Sequence, residues 1–387
     1  MPDEAENRTH RLATLRDRLS PEMDRRTFLR TVANAGYGLG IASLLGVEDF
    51  LNVGSGEVPV VTALVREDPD DPWSIRERTR SVPAEWYARV SKAFELHNHL
   101  AEMSVTGYLG SAVQPGTYDR GTASISIQAS ASEIGRIEEL LQVLIDGVSF
   151  DIEAIEDLGE LEGETFEGEP RLAADIDDGV PGGVRCQTET GYATLGPALY
   201  HPDEQQTFFT TAEHAYYDTD PVGKPLSLPL ANGETVELGT VSYAHPVEDV
   251  VTVEPVGELR PASAIDGAAT QVLGQFTRAG LADLAARGEH LEKMGAETGH
   301  SSGEISGIDA VTCFTSDVCR TGQLRWGEER DLTDGDSGSV TYHRDPENPN
   351  DGVLIAGYNN ARTWWPGQNY VWGVSAYHLT NEYGYYF

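Results

Sequence analysis

The sequence predicts an all-β domain of double-barrel size over residues 180–387, preceded by a small α+β module over residues 83–155. In the C-terminal half, short apolar runs are broken by Gly, Pro, Asn and Asp, as in strands that are separated by turns. In the N-terminal part, the apolar spacing changes between the helical and the strand period. With 387 residues, the chain is long enough to form two cores.

The N-terminal module is predicted from two helical and two strand patterns. Residues 83–100 place apolar side chains at helical spacing, and residues 122–129 alternate as a strand. Residues 132–144 return to helical spacing and begin at Ser132, a favoured capping residue. Residues 148–152 then alternate again. The order strand, helix, strand indicates a βαβ unit.

Two segments of biased composition separate the predicted parts. Residues 51–82 are rich in Asp, Pro and Arg and are predicted to be a linker. Residues 156–179 are rich in acidic side chains and are predicted to be a second linker. Beyond it, the clearest strand patterns lie at residues 193–196, 236–241, 340–342 and 353–358.

The most informative motif is the run GDSGS at residues 335–339. A serine hydroxyl is a poor nucleophile, so it needs a base beside it and hydrogen-bond donors directed at the developing oxyanion. Gly335 lets the backbone turn so that its own N–H and that of Ser337 can point into one hole. Asp336 can hold this turn through a buried ion pair. A Gly/Ser/Asp run is also ordinary turn chemistry, so the motif needs partners elsewhere.

Two further stretches supply candidate partners for Ser337. Residues 208–214, FFTTAEH, form an apolar strand that runs into a small-residue turn and ends on His214. Asp249 opens the apolar, β-branched run VVTV. Asp266 is a rival for the acidic role, but it precedes a glycine in a turn pattern. The order is therefore His, Asp, Ser, which is that of one known hydrolytic triad.

Together these motifs resemble the chymotrypsin/trypsin-like serine peptidases. Residues 293–305, KMGAETGHSSGEI, are similar to a hairpin that many bacterial members carry between Asp and Ser. Residues 180–184, VPGGV, resemble the start of mature peptidases, and the βαβ unit resembles the small pro-domains that precede them. The resemblance covers about half of the chain and implies a chymotrypsin-like double barrel behind a pro-domain-like module.

The resemblance also implies roles for individual residues. His214, oriented by Asp249, would take the proton of Ser337, and the N–H groups of Gly335 and Ser337 would form the oxyanion hole. No metal or organic cofactor is needed for this chemistry, and the partner is a polypeptide substrate. The strand at residues 353–358, including Gly357 and Tyr358, is expected to be the edge along which substrate pairs.

Asp331 is a candidate for substrate specificity by the same resemblance. It stands six positions before Ser337, where trypsin-like members carry the aspartate that pairs with Arg or Lys of the substrate. A buried carboxylate at that position would favour basic side chains. Acidic residues are common throughout this chain, and the loop lacks the cysteine that fixes its register in trypsin. Small or aromatic side chains therefore stay open as the alternative.

The composition predicts adaptation to high salt. The formal net charge is −36, from 63 acidic against 27 basic residues. Such self-repulsion disfavours the compact state unless salt screens it, and at molar ionic strength the screening length is only about 3 Å. The acidic residues are spread along the chain, which distinguishes this pattern from an acidic tail. The absence of a basic stripe argues against a nucleic-acid partner.

Residues 1–50 are predicted to be an export signal. Arg25 and Arg26 are followed by Thr27, Phe28 and Leu29 and then by a mildly apolar stretch rich in Gly and Ala. This stretch resembles a twin-arginine signal, which directs folded proteins across a membrane. The run is too short and too Gly-rich for a spanning helix. We therefore expect an extracellular or cell-surface monomer that contacts the membrane only during export.

Cysteine and histidine usage adds two expectations. In an exported protein Cys313 and Cys319 are close enough in sequence to form a disulfide, which leaves Cys186 as a buried thiol. His97 and His99 suggest a metal site, but such neighbours face apart on a helix. A solvated helix without a metal is therefore expected.

Two other functions stay open from the sequence. A non-catalytic member of the same fold could act as a binding module, because Glu213 stands beside the base where the family usually has alanine. An α/β-hydrolase esterase would need a glycine at the position of Ser339 and a helix after Ser337. Residues 340–342 instead have a strand pattern.

Overall fold

The structure is a computed structural model that describes residues 56–69, 71–102, 105–119, 122–144, 148–156, 168–174, 179–217, 220–268, 270–315, 318–363, 365 and 368–387. The predicted export signal at residues 1–50 lies outside the described residues, as does most of the acidic segment at 157–167 and 175–178. Among the helices that the structure describes, none combines the length and the apolar character needed to span a bilayer.

The N-terminal part contains the predicted βαβ unit together with three further strands. Strands β4 and β5 are parallel and are joined through helix α2, as the sequence predicted. Strand β3 was not predicted and lies antiparallel to β4. In chain order the elements are β1 (Glu57–Arg66), β2 (Ile75–Pro83), α1 (Ala84–Ala101), β3 (Tyr108–Gln114), β4 (Ser124–Ser130), α2 (Ile134–Leu144) and β5 (Ser149–Ile155).

The first half of the C-terminal part is one sheet with strand order β8-β7-β11-β12-β13-β10-β9. Its apolar face is buried, with Phe209, Leu226, Leu228 and Val253 all fully inaccessible to solvent. Its elements and the strand that precedes them are β6 (Gly179–Gly182), β7 (Arg185–Gln187), β8 (Tyr192–Thr194), β9 (Leu199–His201), β10 (Gln206–Ala212), β11 (Pro225–Pro229), β12 (Thr235–His245) and β13 (Val250–Pro255).

The second half belongs to a larger sheet, whose main path is β2-β1-β15-β20-β19-β16-β17-β3-β4-β5. Helices α3 and α4 were not predicted. The elements are β14 (Arg260–Ile265), β15 (Gln271–Phe276), α3 (Arg278–Ala286), β16 (His290–Gly295), β17 (Gly299–Thr315), β18 (Val318–Trp326), β19 (Val340–Arg344), β20 (Gly352–Tyr358), β21 (Val371–Val374) and α4 (Ala376–Tyr383). With two β-sheets in residues 180–387, the predicted all-β double-barrel class is confirmed.

The prediction of a linker over residues 51–82 is wrong for its described part. Strands β1 and β2 form an antiparallel pair there, and β1 also pairs with β15. The segment PVVTALV within β1 is apolar and β-branched, and Val58, Val60 and Val65 are buried. The Asp- and Pro-rich composition reflects only the turn between the two strands.

The N-terminal module shares its sheet and its core with the C-terminal half. Strand β1 pairs with β15 at one side, and β3 pairs with β17 at the other. Trp86 and Phe94 of α1 belong to the same buried cluster as Phe276, Leu354 and Trp326. The module is therefore built into the large sheet.

Part of the second predicted linker also packs against the folded protein. Within residues 168–174, the backbone N–H of Arg171 donates to the carbonyl of Ala296, and Ala173 is buried and pairs with Leu230. The described residues of this segment thus follow the surface of the double barrel.

Candidate active site

The serine loop lies between a short 3₁₀ turn at Glu329–Asp331 and strand β19. Within residues 335–339, the N–H groups of Asp336, Gly338 and Ser339 donate to the carbonyls of Thr333, Asn359 and Asp336, respectively. In the described part of the chain, the N–H groups of Gly335 and Ser337 have no protein acceptor. The loop therefore keeps two backbone donors unused beside the serine, as an oxyanion hole requires.

The conformation of the loop depends on glycine at two places. Gly335 has a φ of +94°, and a Cβ atom there would lie 2.7 Å from Cγ of Glu297. A Cβ atom on Gly338 would lie 2.4 Å from the carbonyl oxygen of Thr194 and 2.8 Å from the backbone nitrogen of Ala212. Glycine at 338 therefore allows the serine loop to approach the end of β10 closely.

Asp336 holds the serine loop through a buried ion pair, as the sequence predicted. Its Oδ2 atom lies 2.9 Å from Nζ of Lys293, and both side chains are fully buried. The hydroxyl of Thr298 also donates to Oδ2, while the N–H groups of Glu297 and Thr298 donate to Oδ1. Lys293 and Thr298 belong to the predicted hairpin, which is formed by β16 and β17. The hairpin therefore supplies the buried partner of the aspartate.

Thr194 connects the two sheets at the serine loop, and sequence reasoning missed it. Its backbone N–H donates to the carbonyl of Ser337, and its hydroxyl donates to the carbonyl of Gly335. The same hydroxyl oxygen accepts the N–H of Ala296. One threonine on β8 thus fixes the carbonyls on both sides of Asp336. A single Thr at a strand end carries no sequence signal for this role.

His214 and Asp249 lie at the adjoining ends of two neighbouring strands. Strand β10 ends at Ala212, and His214 follows in a short 3₁₀ turn; Asp249 immediately precedes β13. The Nδ1 atom of His214 lies 2.7 Å from Oδ2 of Asp249, and the backbone N–H of His214 donates to Oδ1 over 2.9 Å. The strand pairing of β10 with β13 therefore brings the two predicted residues together.

The two side chains differ in exposure. The side chain of Asp249 is only 1% exposed, whereas that of His214 is 46% exposed. Asp249 has a φ of +59°, a left-handed conformation that aspartate tolerates better than most residues. The carboxylate is thus withdrawn from water while one edge of the imidazole stays accessible.

The electrostatics of the pair follow from this geometry. Burial alone lowers the pKa of His214, but the charge and the hydrogen bond of Asp249 outweigh it, so the pKa is raised above its ordinary value. Burial alone raises the pKa of Asp249, but the charge of His214 and its hydrogen bonds, together with the charge of Arg320, hold it below its ordinary value. Asp249 is therefore an ionised hydrogen-bond acceptor that favours the imidazolium form of His214.

Three further side chains support this pair and were not predicted. The Nη1 atom of Arg320 on β18 lies 3.1 Å from Oδ2 of Asp249. Asn360 donates from Nδ2 to the carbonyl of Glu248. The carboxylate of Glu248 in turn accepts hydrogen bonds from the hydroxyl of Tyr383 and from Nε2 of His378 on α4. All of these contacts are made across the fold, so local patterns could not reveal them.

The prediction that Gly357 and Tyr358 lie on a free edge is wrong. Strand β19 pairs with Gly357 and Tyr358 on one side, and on the other side Gly357 forms a bridge with Ser375, after the pairing of β20 with β15 ends at Ile355. Tyr358 is buried, and its hydroxyl shares a hydrogen bond with Oγ1 of Thr210 on β10. These residues tie the two sheets together and have no exposed backbone for substrate.

Asp331 makes a local capping contact, and its expected role in substrate specificity stays a prediction. It ends the 3₁₀ turn before the serine loop, and its Oδ2 atom accepts the N–H of Glu328 over 2.8 Å. This capping interaction is local and accounts for an acidic residue at this position. Asp266, the rival of Asp249, pairs instead with Arg171 at the surface.

The cysteine predictions are confirmed, and one histidine prediction is wrong. Cys313 and Cys319 form a disulfide across β17 and β18, and Cys186 is a buried thiol whose pKa burial raises to about 12. His97 is buried against the core, whereas His99 is exposed. Helix α1 is thus not solvated all round. Among the described residues, no cluster of three potential metal ligands is present.

The arrangement after the serine excludes the esterase alternative. Ser337 is followed by strand β19, whereas an α/β-hydrolase elbow leads from a strand through the serine into a helix.

Comparison with known proteins finds similarity to solved structures only. No protein-family model matches the chain, and no curated protein matches it. A serine protease specific for glutamic acid is 15% identical, with a TM-score of 0.38 over 54% of this chain and 99% of its own. Thermobifida fusca protease A is 18% identical, with a TM-score of 0.38 over 54% and 97%. The MamO protease domain of Magnetospirillum magneticum is 11% identical, with a TM-score of 0.32 over 50% and 88%.

Proposed function

We propose that this protein is a serine endopeptidase in which Ser337 is the nucleophile, His214 the general base and Asp249 the orienting acid. The observation that carries the proposal is the combination of two features at one junction between the sheets. Asp249 holds Nδ1 of His214 at 2.7 Å. The N–H groups of Gly335 and Ser337 have no acceptor among the described residues, so they are available to a ligand.

The proposed mechanism assigns a role to each of these groups. Because Nδ1 of His214 donates to Asp249, the neutral imidazole has its lone pair on Nε2, which can take the proton of the Ser337 hydroxyl. The serine oxygen attacks the peptide carbonyl, and the resulting oxyanion accepts hydrogen bonds from the two unused N–H groups. His214 then donates its proton to the leaving amine. Water hydrolyses the acyl-enzyme with His214 again as the base.

Covalent labelling of the serine tests this proposal. A fluorophosphonate probe reacts only with an activated serine, so it should label the wild-type protein in molar salt and not the Ser337→Ala variant. Ser227→Ala, on β11 of the first sheet, is the matched control and should be labelled normally. Mass analysis of the labelled peptide identifies the modified residue. An unlabelled but folded wild-type protein would support the binding-module alternative.

We further propose that the peptidase acts outside the cell in a salty medium. The net charge of −36 supports the second part, and the paired Arg25 and Arg26 support the first. The twin-arginine route distinguishes arginine from lysine, so replacing both residues by lysine should retain the protein inside the cell without changing its fold. Continued secretion of the double-lysine variant would contradict this route.

A further inference from the structure

Glu213 and Arg320 introduce two charges next to the histidine–aspartate pair. Glu213 precedes His214 in the same 3₁₀ turn, where the resembling peptidases usually carry alanine. A second carboxylate there adds negative charge beside the imidazole. Arg320 reaches the same place from β18 on the other sheet. The carboxylate of Glu213 and the guanidinium of Arg320 thus come from distant parts of the chain, and both act on the pair of His214 and Asp249.

The contact of Arg320 is well placed to act on the pair. Its Nη1 atom lies 3.1 Å from Oδ2 of Asp249, the same oxygen that accepts the hydrogen bond from Nδ1 of His214. The side chain of Arg320 is 17% exposed, so water screens this interaction only in part. The guanidinium therefore fixes the carboxylate oxygen that orients the imidazole.

The position of Arg320 is itself held by a covalent link. Arg320 follows Cys319, which is bonded to Cys313, and Thr312 is the strand partner of Arg320. The disulfide closes the hairpin of β17 and β18 next to the arginine. This bridge limits the freedom of the strand end that carries the guanidinium.

We propose that Arg320 is a positioning residue of the active site, which holds the Asp249 carboxylate and offsets the charge of Glu213 on His214. This inference rests on the proposed peptidase function. It explains how Glu213 can lie beside His214: the positive charge of Arg320 offsets the added negative charge. Among the described residues, Asp249, Arg320 and Glu213 are the charged groups with the largest effects on His214.

The electrostatic signs support this assignment. Burial and the charge of Asp249 are the largest influences on the pKa of His214, and of the two added groups Glu213 raises this pKa while Arg320 lowers it. Burial and the charge of Asp249 raise the pKa of Glu213, and Arg320 lowers it. Glu213 and Arg320 therefore act on His214 in opposite directions.

A double-mutant cycle measured by NMR tests the proposal without relying on activity. In the Ser337→Ala protein, the imidazole of His214 is titrated and assigned by comparison with His214→Gln. Arg320→Gln should raise the pKa of His214, Glu213→Gln should lower it, and the double variant should return it towards the parent value. Arg76→Gln, which removes a guanidinium from the surface carboxylate of Glu67, is the matched control and should change nothing.

Activity gives a second readout in the protein with Ser337 intact. Arg320→Gln should move the acidic limb of the kcat/KM profile to higher pH and lower its plateau about tenfold, because the base is less well oriented. Arg320→Lys should restore the position of the limb but not the plateau, since it returns the charge without the planar guanidinium.

The outcomes separate the two proposals. An unchanged His214 pKa in the folded Arg320→Gln protein would overturn the electrostatic role of Arg320, whatever the activity. If Arg320→Gln does not fold, Arg320→Lys decides: a kcat/KM plateau equal to that of the wild type would overturn the positioning role of the guanidinium. If the His214 pKa shifts as expected but no fluorophosphonate labels the wild-type protein, the role of Arg320 stands and the peptidase proposal is rejected.

Discussion

Nζ of Lys293 lies 2.9 Å from Oδ2 of Asp336, and neither side chain is exposed to solvent. Asp336 is the residue before the candidate nucleophile, so this ion pair connects the hairpin of β16 and β17 directly to the serine loop. Both charges belong to side chains within the fold. The loop conformation that leaves the N–H groups of Gly335 and Ser337 unused therefore depends on an internal lysine.

Replacing Lys293 by methionine should disrupt the conformation of the serine loop. The variant leaves the Asp336 carboxylate buried without its cation, which costs about 3–5 kcal/mol of stability. We expect a lower unfolding midpoint in denaturant and the loss of probe labelling at Ser337, because the oxyanion donors lose their support. Both are measured on the purified protein in molar salt.

Lys224→Met is the control for the loss of a lysine charge. Lys224 lies 3.4 Å from Oε2 of Glu189, and both side chains are partly exposed. A surface pair of this kind contributes about 0–1 kcal/mol, so stability and labelling should stay near those of the wild type. Equal effects of the two variants would mean that the buried pair has no special role in the loop.

The sequence pointed to the candidate catalytic side chains more readily than to the surroundings that position them. Ser337, His214 and Asp249 each stand at a strand end next to residues whose type carries information, such as the glycines of the serine loop. Thr194 and Arg320 carry none, because their partners come from distant strands and are fixed only when the two sheets meet. Local patterns therefore select candidate residues, and the tertiary contacts that orient them must be seen in the structure.

The error at residues 51–82 has a similar physical origin. The acidic turn between β1 and β2 makes the segment look like a linker, while β1 is a strand partly because Ala63 pairs with Phe276, far along the chain. The error at Gly357 and Tyr358 is also one of pairing. An apolar strand pattern does not show which of its two edges are already occupied.

The pH dependence of the site should follow His214. Because the pKa of His214 is raised above 6.5, the neutral base becomes available only as the pH rises through that higher value. The kcat/KM of the wild type should therefore be lost on the acidic side with a midpoint above 6.5. Asp249→Asn removes the charge that raises this pKa, so NMR should show a lower His214 pKa, and kcat should fall roughly 10⁴-fold.

The same pair makes a pH-dependent contribution to stability. A raised pKa of His214 in the folded state stabilises the fold fully below the unfolded value of 6.5, and this contribution is lost as the pH rises through the folded value. The lowered pKa of Asp249 contributes above 3.8 and is lost as the pH falls through its folded value. In denaturant titrations at constant salt, His214→Gln should be most destabilising between these limits. A penalty that grows towards alkaline pH would contradict the raised pKa.

The N-terminal module should stay bound after the chain is cut. Strands β1 and β3 are both paired with strands of the C-terminal half, and the side chain of Arg78 forms an ion pair with the buried Asp345. If a protease site is placed in the acidic segment at residues 157–167 and cleaved, the two fragments should elute together in size-exclusion chromatography and separate only in denaturant. A freely released N-terminal fragment beside a still folded double barrel would instead fit a removable pro-domain.

Stability should depend on the ionic strength itself. With a net charge of −36, repulsion acts over about 10 Å at 0.1 M salt and over only about 3 Å at 1 M. Circular dichroism should show unfolding on dialysis into dilute buffer and refolding when KCl is restored, whereas sucrose, which screens no charge, should restore less structure. Changing four exposed acids to glutamine (Glu204, Glu237, Glu254 and Glu258) reduces the net charge from −36 to −32, so less KCl should be needed at the midpoint. A native spectrum and full thermal stability in dilute buffer would remove the salt-adaptation hypothesis and leave the peptidase proposal untouched, because the active-site contacts are short and partly or wholly buried.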